Sequence, residues 1–273
     1  MSPSATLPGA TELGNDPKAR KELRQAIIAM LRDNTGTYAL DFGTTGDGVQ
    51  ERASFRIRPR AFEIRRYFSS PEGTYTFDFR AVGPSAWMRS VDKPGDGPRS
   101  WPCWVAMADL AEGAPDELGA FLTSEVARTQ PPNAVIAASY GIGREYTEDE
   151  TLGSIRGTID LVMATSLMGS QAVLKLGLDP QSKATAPAYF DVRNGRLHGY
   201  TVGLRGLFLA LEEQGADLPV DPSGMVPGSI TVTFDDPGSP VSVAPPEPSQ
   251  VVEIAPGTES FGDEMEACGD RQP

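Results

Sequence analysis

The sequence predicts an α+β fold in which an antiparallel sheet is covered on one side by helices, and three observations predict it. Between Thr37 and Val91 apolar and polar residues alternate in five successive runs separated by turn residues, the pattern of half-buried strands at hairpin spacing. Asn194-Gly195 stands between two more strand-like runs, and this dipeptide supplies the positive φ angles of a tight hairpin turn. Helical periodicity appears before the first strand and again after the hairpin, over Leu204 to Leu211. A meander with one apolar face needs that face covered, so the helices are expected across the inside of a curved sheet.

Taken in order, Asp16 is a good N-cap and Pro17 suits the first helical position, so a helix starts there. Leu23, Ile27, Ile28 and Leu31 form its expected apolar stripe, with Lys18, Arg20, Lys21, Arg24 and Arg32 turned away, and Asn34 to Gly36 ends it. From Thr37 the chain alternates, with Tyr38, Leu40 and Phe42 on one face, and a Gly-rich loop over 43–48 turns it. Val49, Glu51, Ala53, Phe55 and Ile57 share one face of the next run, which Pro59 breaks. Phe62, Ile64 and Phe68 follow, then a turn over 69–73, then Tyr75, Phe77 and Phe79, then a strand over 86–91. Helices are expected over 116–128 and from Pro131-Pro132-Asn133 to a stop at Tyr140-Gly141, as candidate lids. A strand over 151–161 leads into a short apolar helix over 162–168.

The hairpin joins 185–193 to 196–203. Leu204, Leu207, Phe208 and Leu211 then share a helical face at i, i+3, i+4 and i+7, with Gly215 placed for a left-handed cap. Ile230, Val232 and Phe234 alternate in a further strand, and Val241 to Val243 reads as a last one. The expected organisation is a leader over 1–15, one domain over 16–255, and an acidic, disordered tail over 256–273.

The composition excludes several classes. A net charge of −13 and 22% charged residues would repel a phosphate backbone, so nucleic acid is not an expected partner. The same charge disfavours unassisted binding to anionic lipid surfaces while leaving a neutral or apolar ligand free to enter a pocket. No run of eighteen apolar residues occurs, so no transmembrane span is expected. The two cysteines, Cys103 and Cys268, read as free thiols, since a bridge would tie the domain to the tail.

No catalytic constellation emerges. His198, the single histidine, lies on a hairpin strand without Cys or paired carboxylates beside it, so it reads as a strand histidine and no metal is expected. Cys103, between Trp101 and Trp104, has no adjoining cation in sequence to activate it. Gly141-Ile-Gly143 is too short for a dinucleotide fingerprint. Glu148-Asp-Glu150 and Asp235-Asp236 lack the spacing of a calcium loop and read as solvated faces or turns. Neither an enzyme nor a cofactor is expected.

One order of signals is more specific: Gly157-Thr-Ile-Asp160 as a strand end, a helix, then a hairpin written Tyr189-Phe-Asp-Val-Arg-Asn-Gly-Arg-Leu197. This resembles the LolA/LppX-like lipoprotein superfamily of bacterial envelope lipid carriers, over roughly residues 16–252. The resemblance implies a curved antiparallel half-barrel with helices packed on its concave face, enclosing an apolar cavity for acyl chains. It implies a non-catalytic lipid or lipoprotein carrier, with a lipid or acylated ligand and an envelope protein as possible partners. The alternative is an envelope sensor or interaction module on the same scaffold. Tyr38, Leu40, Phe55, Ile57, Phe77 and Phe79 are the inward set of consecutive strands and the candidate sheet wall. Val135, Ile136, Leu207 and Phe208 are candidates for the helical side. As written the N-terminus lacks a signal peptide, so a cytoplasmic location is expected unless an upstream lipoprotein signal has been removed, which would place the domain in the cell envelope. The polar leader suits such a tether.

Overall fold

The computed structural model describes residues 16–43, 48–70, 73–90, 103–106, 132–149, 154–168, 172–218 and 228–252. Their strands form one curved, unclosed sheet with helices on its concave face, an α+β half-barrel. The chain runs α1 (Pro17–Asp33), β1 (Thr35–Gly43), β2 (Gly48–Arg56), β3 (Ala61–Ser70), β4 (Gly73–Val82), β5 (Ser85–Ser90), β6 (Trp104–Ala106), α2 (Asn133–Tyr140) and β7 (Ile142–Asp149). It continues with β8 (Ser154–Asp160), α3 (Leu161–Ser166), α4 (Ala172–Lys175), β9 (Thr185–Arg193), β10 (Arg196–Gly203), α5 (Leu204–Glu213), β11 (Ser229–Asp235) and β12 (Val251–Val252). The spatial order is β12-β6-β5-β4-β3-β2-β1-β11-β10-β9-β8-β7. Every pairing is antiparallel except β12 on β6.

Local chemistry explains much of this. Asp16 accepts the Lys18 amide at 2.8 Å, and Asn34 closes α1 in the left-handed conformation with φ 65°. Its side-chain amide then grips the β2–β3 turn, donating to the Arg58 carbonyl at 2.6 Å and accepting the Arg58 amide at 2.8 Å. Asn194 and Gly195 take φ of 53° and 69° in the β9–β10 turn, as an Asn-Gly hairpin requires. The stripe on α5 is as expected: Leu204, Leu207, Phe208 and Leu211 are its buried residues, and Gly215 follows at φ 73°. His198 sits at a bulge where the β9–β10 register shifts between Leu197 and Gly199.

Several expectations require correction. The buried stripe of α1 is Ala19, Leu23, Ala26 and Met30, not Leu23, Ile27, Ile28 and Leu31; Ile28 is 54% exposed, while Ile27 and Leu31 are half-buried. Two alanines allow the helix to lie close to the sheet, and this close approach outweighs the larger area that Ile28 offered. Val241 to Val243 is not a strand. Pro240, Pro245 and Pro246 around it lack the amide donors a ladder needs. Chain pairing resumes only at β12. The helix stop at Tyr140-Gly141 falls where expected, but strand β7 follows it and takes in Glu148 and Asp149, which read as a solvated face or turn. The strand's polar run of Arg144, Glu145, Thr147, Glu148 and Asp149 hides the periodicity, and such composition suits the sheet edge where it lies. Strand β6, only 3 residues long, also falls below what periodicity reveals. The strand over 151–161 is confined to β8 among described residues, and the helix after it starts at Leu161, one residue early, because Asp160 caps it by accepting the Met163 amide at 3.1 Å. The short helix α4 had no sequence signal. The helix expected over 116–128, the leader and the tail lie outside the described residues.

Cys103 is disulfide-bonded, which corrects the reading of free thiols. Cys268 lies outside the described residues.

Candidate functional site

The concave face is built by strict alternation carried across strands in register. Tyr38 lies between Ala53 and Phe234, Leu40 between Glu51 and Val232, and Ala53 opposite Ile64, which is itself opposite Phe79. Aromatic rings join into a row across five strands: Phe55 to Tyr38 at 6.1 Å, Tyr38 to Phe234 at 6.3 Å, Phe234 to Tyr200 at 6.2 Å and Tyr200 to Phe190 at 6.3 Å. Tilted and edge-on rings at these separations add to what their buried area contributes. Tyr200 also donates to the Ala134 carbonyl at 2.9 Å, fastening α2 across the row.

The helices cover this face unevenly. Helix α1 packs on β7, β9 and β10, α5 on β9 and β10, α3 on β8 and β9, and α2 on β7. The half of the face formed by β2 to β5 is where apolar side chains keep part of their surface: Ile57, Phe62, Phe77 and Ala86 are half-buried there. Phe77 and Phe79 lie with ring centroids 6.5 Å apart on this half.

The ten expected wall residues fall as follows. Tyr38, Leu40, Phe55, Phe79, Val135, Leu207 and Phe208 belong to one continuous apolar cluster, with Ile57 and Phe77 packed at its edge. Ile136 is buried but stands apart from that cluster. Tyr38, Leu40, Val135 and Leu207 have no more than 2% of their surface exposed, so each is enclosed by protein.

Within this apolar surface lies a polar group that periodicity alone did not single out. Glu51, 4% exposed, accepts from the Tyr38 hydroxyl and from Arg66, whose Nε and Nη2 both lie 2.7 Å from its Oε2. The Arg66 guanidinium also sits 5.4 Å from the centre of the Phe79 ring. Glu51 and Arg66 lie opposite each other on neighbouring strands of the concave face. Burial, then the neighbouring Glu51 carboxylate, raises the Tyr38 hydroxyl well above its ordinary pKa; Tyr200 is raised well above it for the same two reasons. Strand parity places both charges inward, which is the signal that could have found them. Their pairing required the β2–β3 register.

A second constellation occupies the convex face. Asp78, 1% exposed, accepts from Arg65 at 2.6 and 2.9 Å and from Arg89 at 3.0 and 2.9 Å. Burial works to raise its carboxyl, but the bonds from Arg65 and then Arg89 outweigh it, and the group is held below its ordinary value. Buried Trp104 is clasped between the guanidinium groups of Arg80 and Arg89, each 4.6 Å from a ring centre. Arg80 also pairs with Glu63 at 3.0 Å and donates to the Ala244 carbonyl at 3.4 Å. These contacts hold the returning C-terminal segment and β6 to the sheet. Arg60, in the β2–β3 turn, is different: its guanidinium lies over Phe62 at 5.3 Å, is buried, and has no hydrogen-bond partner. Burial lowers its pKa.

No group of His, Cys, Asp or Glu able to hold a metal occurs among the described residues. No helix among them is long and apolar enough to cross a membrane.

No family model and no curated protein matches the chain. Among solved structures it is similar to the crystal structure of LprF from Mycobacterium bovis, at 12% identity and a TM-score of 0.44, over 85% of this chain and 99% of that one.

Proposed function

We propose that this chain is a non-catalytic lipid-binding or carrier protein of the cell envelope that holds acyl chains between the sheet and its helices. The observation that supports this reading is one continuous cluster of apolar side chains along the concave strands, with the Glu51–Arg66 pair set within it. Transfer of a methylene from water to such a surface contributes about 0.8 kcal/mol, so one long acyl chain supplies on the order of 10 kcal/mol before ordering costs. The half-buried edge formed by Ile57, Phe62, Phe77 and Ala86 is where a chain is first admitted. From there it runs over Phe79 toward Arg66. Deeper residues such as Tyr38, Leu40, Phe55, Val135, Ile136, Leu207 and Phe208 are reached only if helices α2 and α5 move outward. The domain over 16–255, the leader and the tail belong to the same proposal.

The test is mass spectrometry of lipids retained by the gently purified protein, combined with uptake of a fluorescent fatty acid. Retained acyl lipid, and uptake reduced in a folded Phe77→Asp or Phe79→Asp variant, are the expected results. A protein that retains nothing, takes up no probe and is indifferent to both substitutions overturns the reading. In that event the enclosure of Tyr38, Leu40, Val135 and Leu207 favours the second one, an envelope sensor or interaction module whose interior is filled by its own side chains.

A further inference from the structure

The acidity of the chain conceals a local reversal of charge on α1. Once its buried stripe is Ala19, Leu23, Ala26 and Met30, the half of the helix turned from the sheet carries Arg20, Lys21, Arg24, Gln25, Ile28 and Arg32, all exposed. No carboxylate shares that half: Glu22 lies half-buried at its flank, and Asp33 is drawn aside to Arg196 at 2.8 Å. Elsewhere Arg52, Arg65, Arg66, Arg80, Arg89, Arg193 and Arg196 each meet an Asp or Glu, and the exposed cations that meet none among the described residues, such as Lys175, Lys183 and Arg205, are spread singly over other elements. Among the described residues, Arg20, Lys21, Arg24 and Arg32 meet none. Exposed Arg58, whose amide bonds the Asn34 cap, extends the basic surface beyond the helix end. In the middle of these cations stands Ile28, 54% exposed, the more exposed of two large apolar side chains in that state among the described residues.

From this arrangement we infer that the outer face of α1 docks on an anionic lipid surface, its four cations meeting headgroups and Ile28 entering the interface. The net charge of −13 does not oppose this at working ionic strength, because charges more than about 8 Å away are largely screened. The patch nearest the membrane therefore governs. A helix of 17 residues lies about 25 Å along a surface, long enough for four cations to reach headgroups together. An acidic protein would satisfy the cations equally well but gives an exposed isoleucine among them no apolar medium, whereas an interface offers both. This docking does not require the cavity: it concerns the opposite side of α1.

The experiment is flotation of the full chain with vesicles of phosphatidylglycerol and phosphatidylcholine in equal parts, or of phosphatidylcholine alone, in 0.15 M salt. Each cation near an anionic leaflet strengthens partitioning about fivefold. Wild type is expected to float with the anionic vesicles only and to be released by 0.5 M salt. The double variant Lys21→Glu/Arg24→Glu is expected to bind at least ~25-fold more weakly, and Lys21→Gln/Arg24→Gln about 25-fold, should the reversal disturb folding. Ile28→Ser should weaken binding severalfold, and the control pair Lys175→Glu/Lys183→Glu, exposed on other elements, should leave it unchanged. No flotation, equal flotation with neutral vesicles, an undiminished double variant, or a control pair that loses as much would each overturn the inference. So would capture by a polyanionic peptide at vesicle concentrations that capture nothing. Fatty-acid uptake measured on the same variants separates the two readings, since uptake can fail with flotation intact and the reverse.

Discussion

Replacing Glu51 tests whether the buried charge on the concave face is an interlocked unit. Glu51→Leu removes a carboxylate that accepts from the Tyr38 hydroxyl and from Arg66 at 2.7 Å, while the Arg66 side chain is only 12% exposed. Breaking a buried pair in this way costs about 3–5 kcal/mol, because the remaining guanidinium has lost that carboxylate and little water replaces it. The orphaned tyrosine hydroxyl adds about 1 kcal/mol. The contact of Arg66 with Phe79 offsets part of this, so a loss of about 3–5 kcal/mol is expected overall. For a domain of this size such a loss lowers Tm by about 10 °C. The triple variant Tyr38→Phe/Glu51→Leu/Arg66→Met replaces the whole cluster by apolar groups of similar shape and should lie within about 1 kcal/mol of wild type, or above it. Urea unfolding followed by far-UV circular dichroism measures both, and a double-mutant cycle between positions 51 and 66 should give a coupling near 3 kcal/mol. A single variant that costs less than about 1 kcal/mol, or a triple variant no better than the single one, would refute the reasoning.

Further outcomes follow from other contacts. The folded-state pKa of Asp78 lies below its unfolded value of 3.8, so its contribution is complete above that pH, declines as pH falls through it, and is absent below the folded value. Asp78→Asn should therefore cost about 2–4 kcal/mol at pH 7 and flatten the acid limb of a stability profile; an unaltered limb contradicts this. Tyr38 and Tyr200 are raised, so of the seven tyrosines these two should stay protonated in absorbance titrations until the protein unfolds. The protonated fold loses relative stability as pH rises above the ordinary tyrosine value of about 10. Arg60→Met should raise stability, because an unpartnered buried guanidinium is exchanged for apolar bulk; a loss exceeding about 1 kcal/mol in urea unfolding argues against the assignment. A Cβ at Gly199 would run into the Val232 carbonyl, so Gly199→Ala should cost about 1–3 kcal/mol. Leu23→Ala on the buried side of α1 should cost about 2–5 kcal/mol and Ile28→Ser within about 0.5 kcal/mol, and a reversal of that order in thermal melts would restore the stripe read from sequence.

What the sequence alone determined is whatever depends on neighbours along the chain. The Asp16 cap, the Asn194-Gly195 turn, the α5 stripe and the alternation of β1 to β5 are local, and each appears where its residues place it. Parity along β2 also places Glu51 on the same face as Phe55 before any partner is known. Tertiary structure decided matters that involve two distant segments. Which side of α1 is buried depended on how closely a helix can approach the sheet, and Ala19 and Ala26 prevailed over Ile28 because packing distance rewards small residues there. β7 and β6 are strands because β8 and β5 offer ladders to pair with, not because their own residues alternate. Arg66 meets Glu51, and Arg65 and Arg89 meet Asp78, only through the register of antiparallel pairs. A one-residue slip would have turned these charges to the opposite face. The composition reported an acidic chain, and only the packed arrangement showed that four cations without an acidic partner among the described residues share one side of one helix.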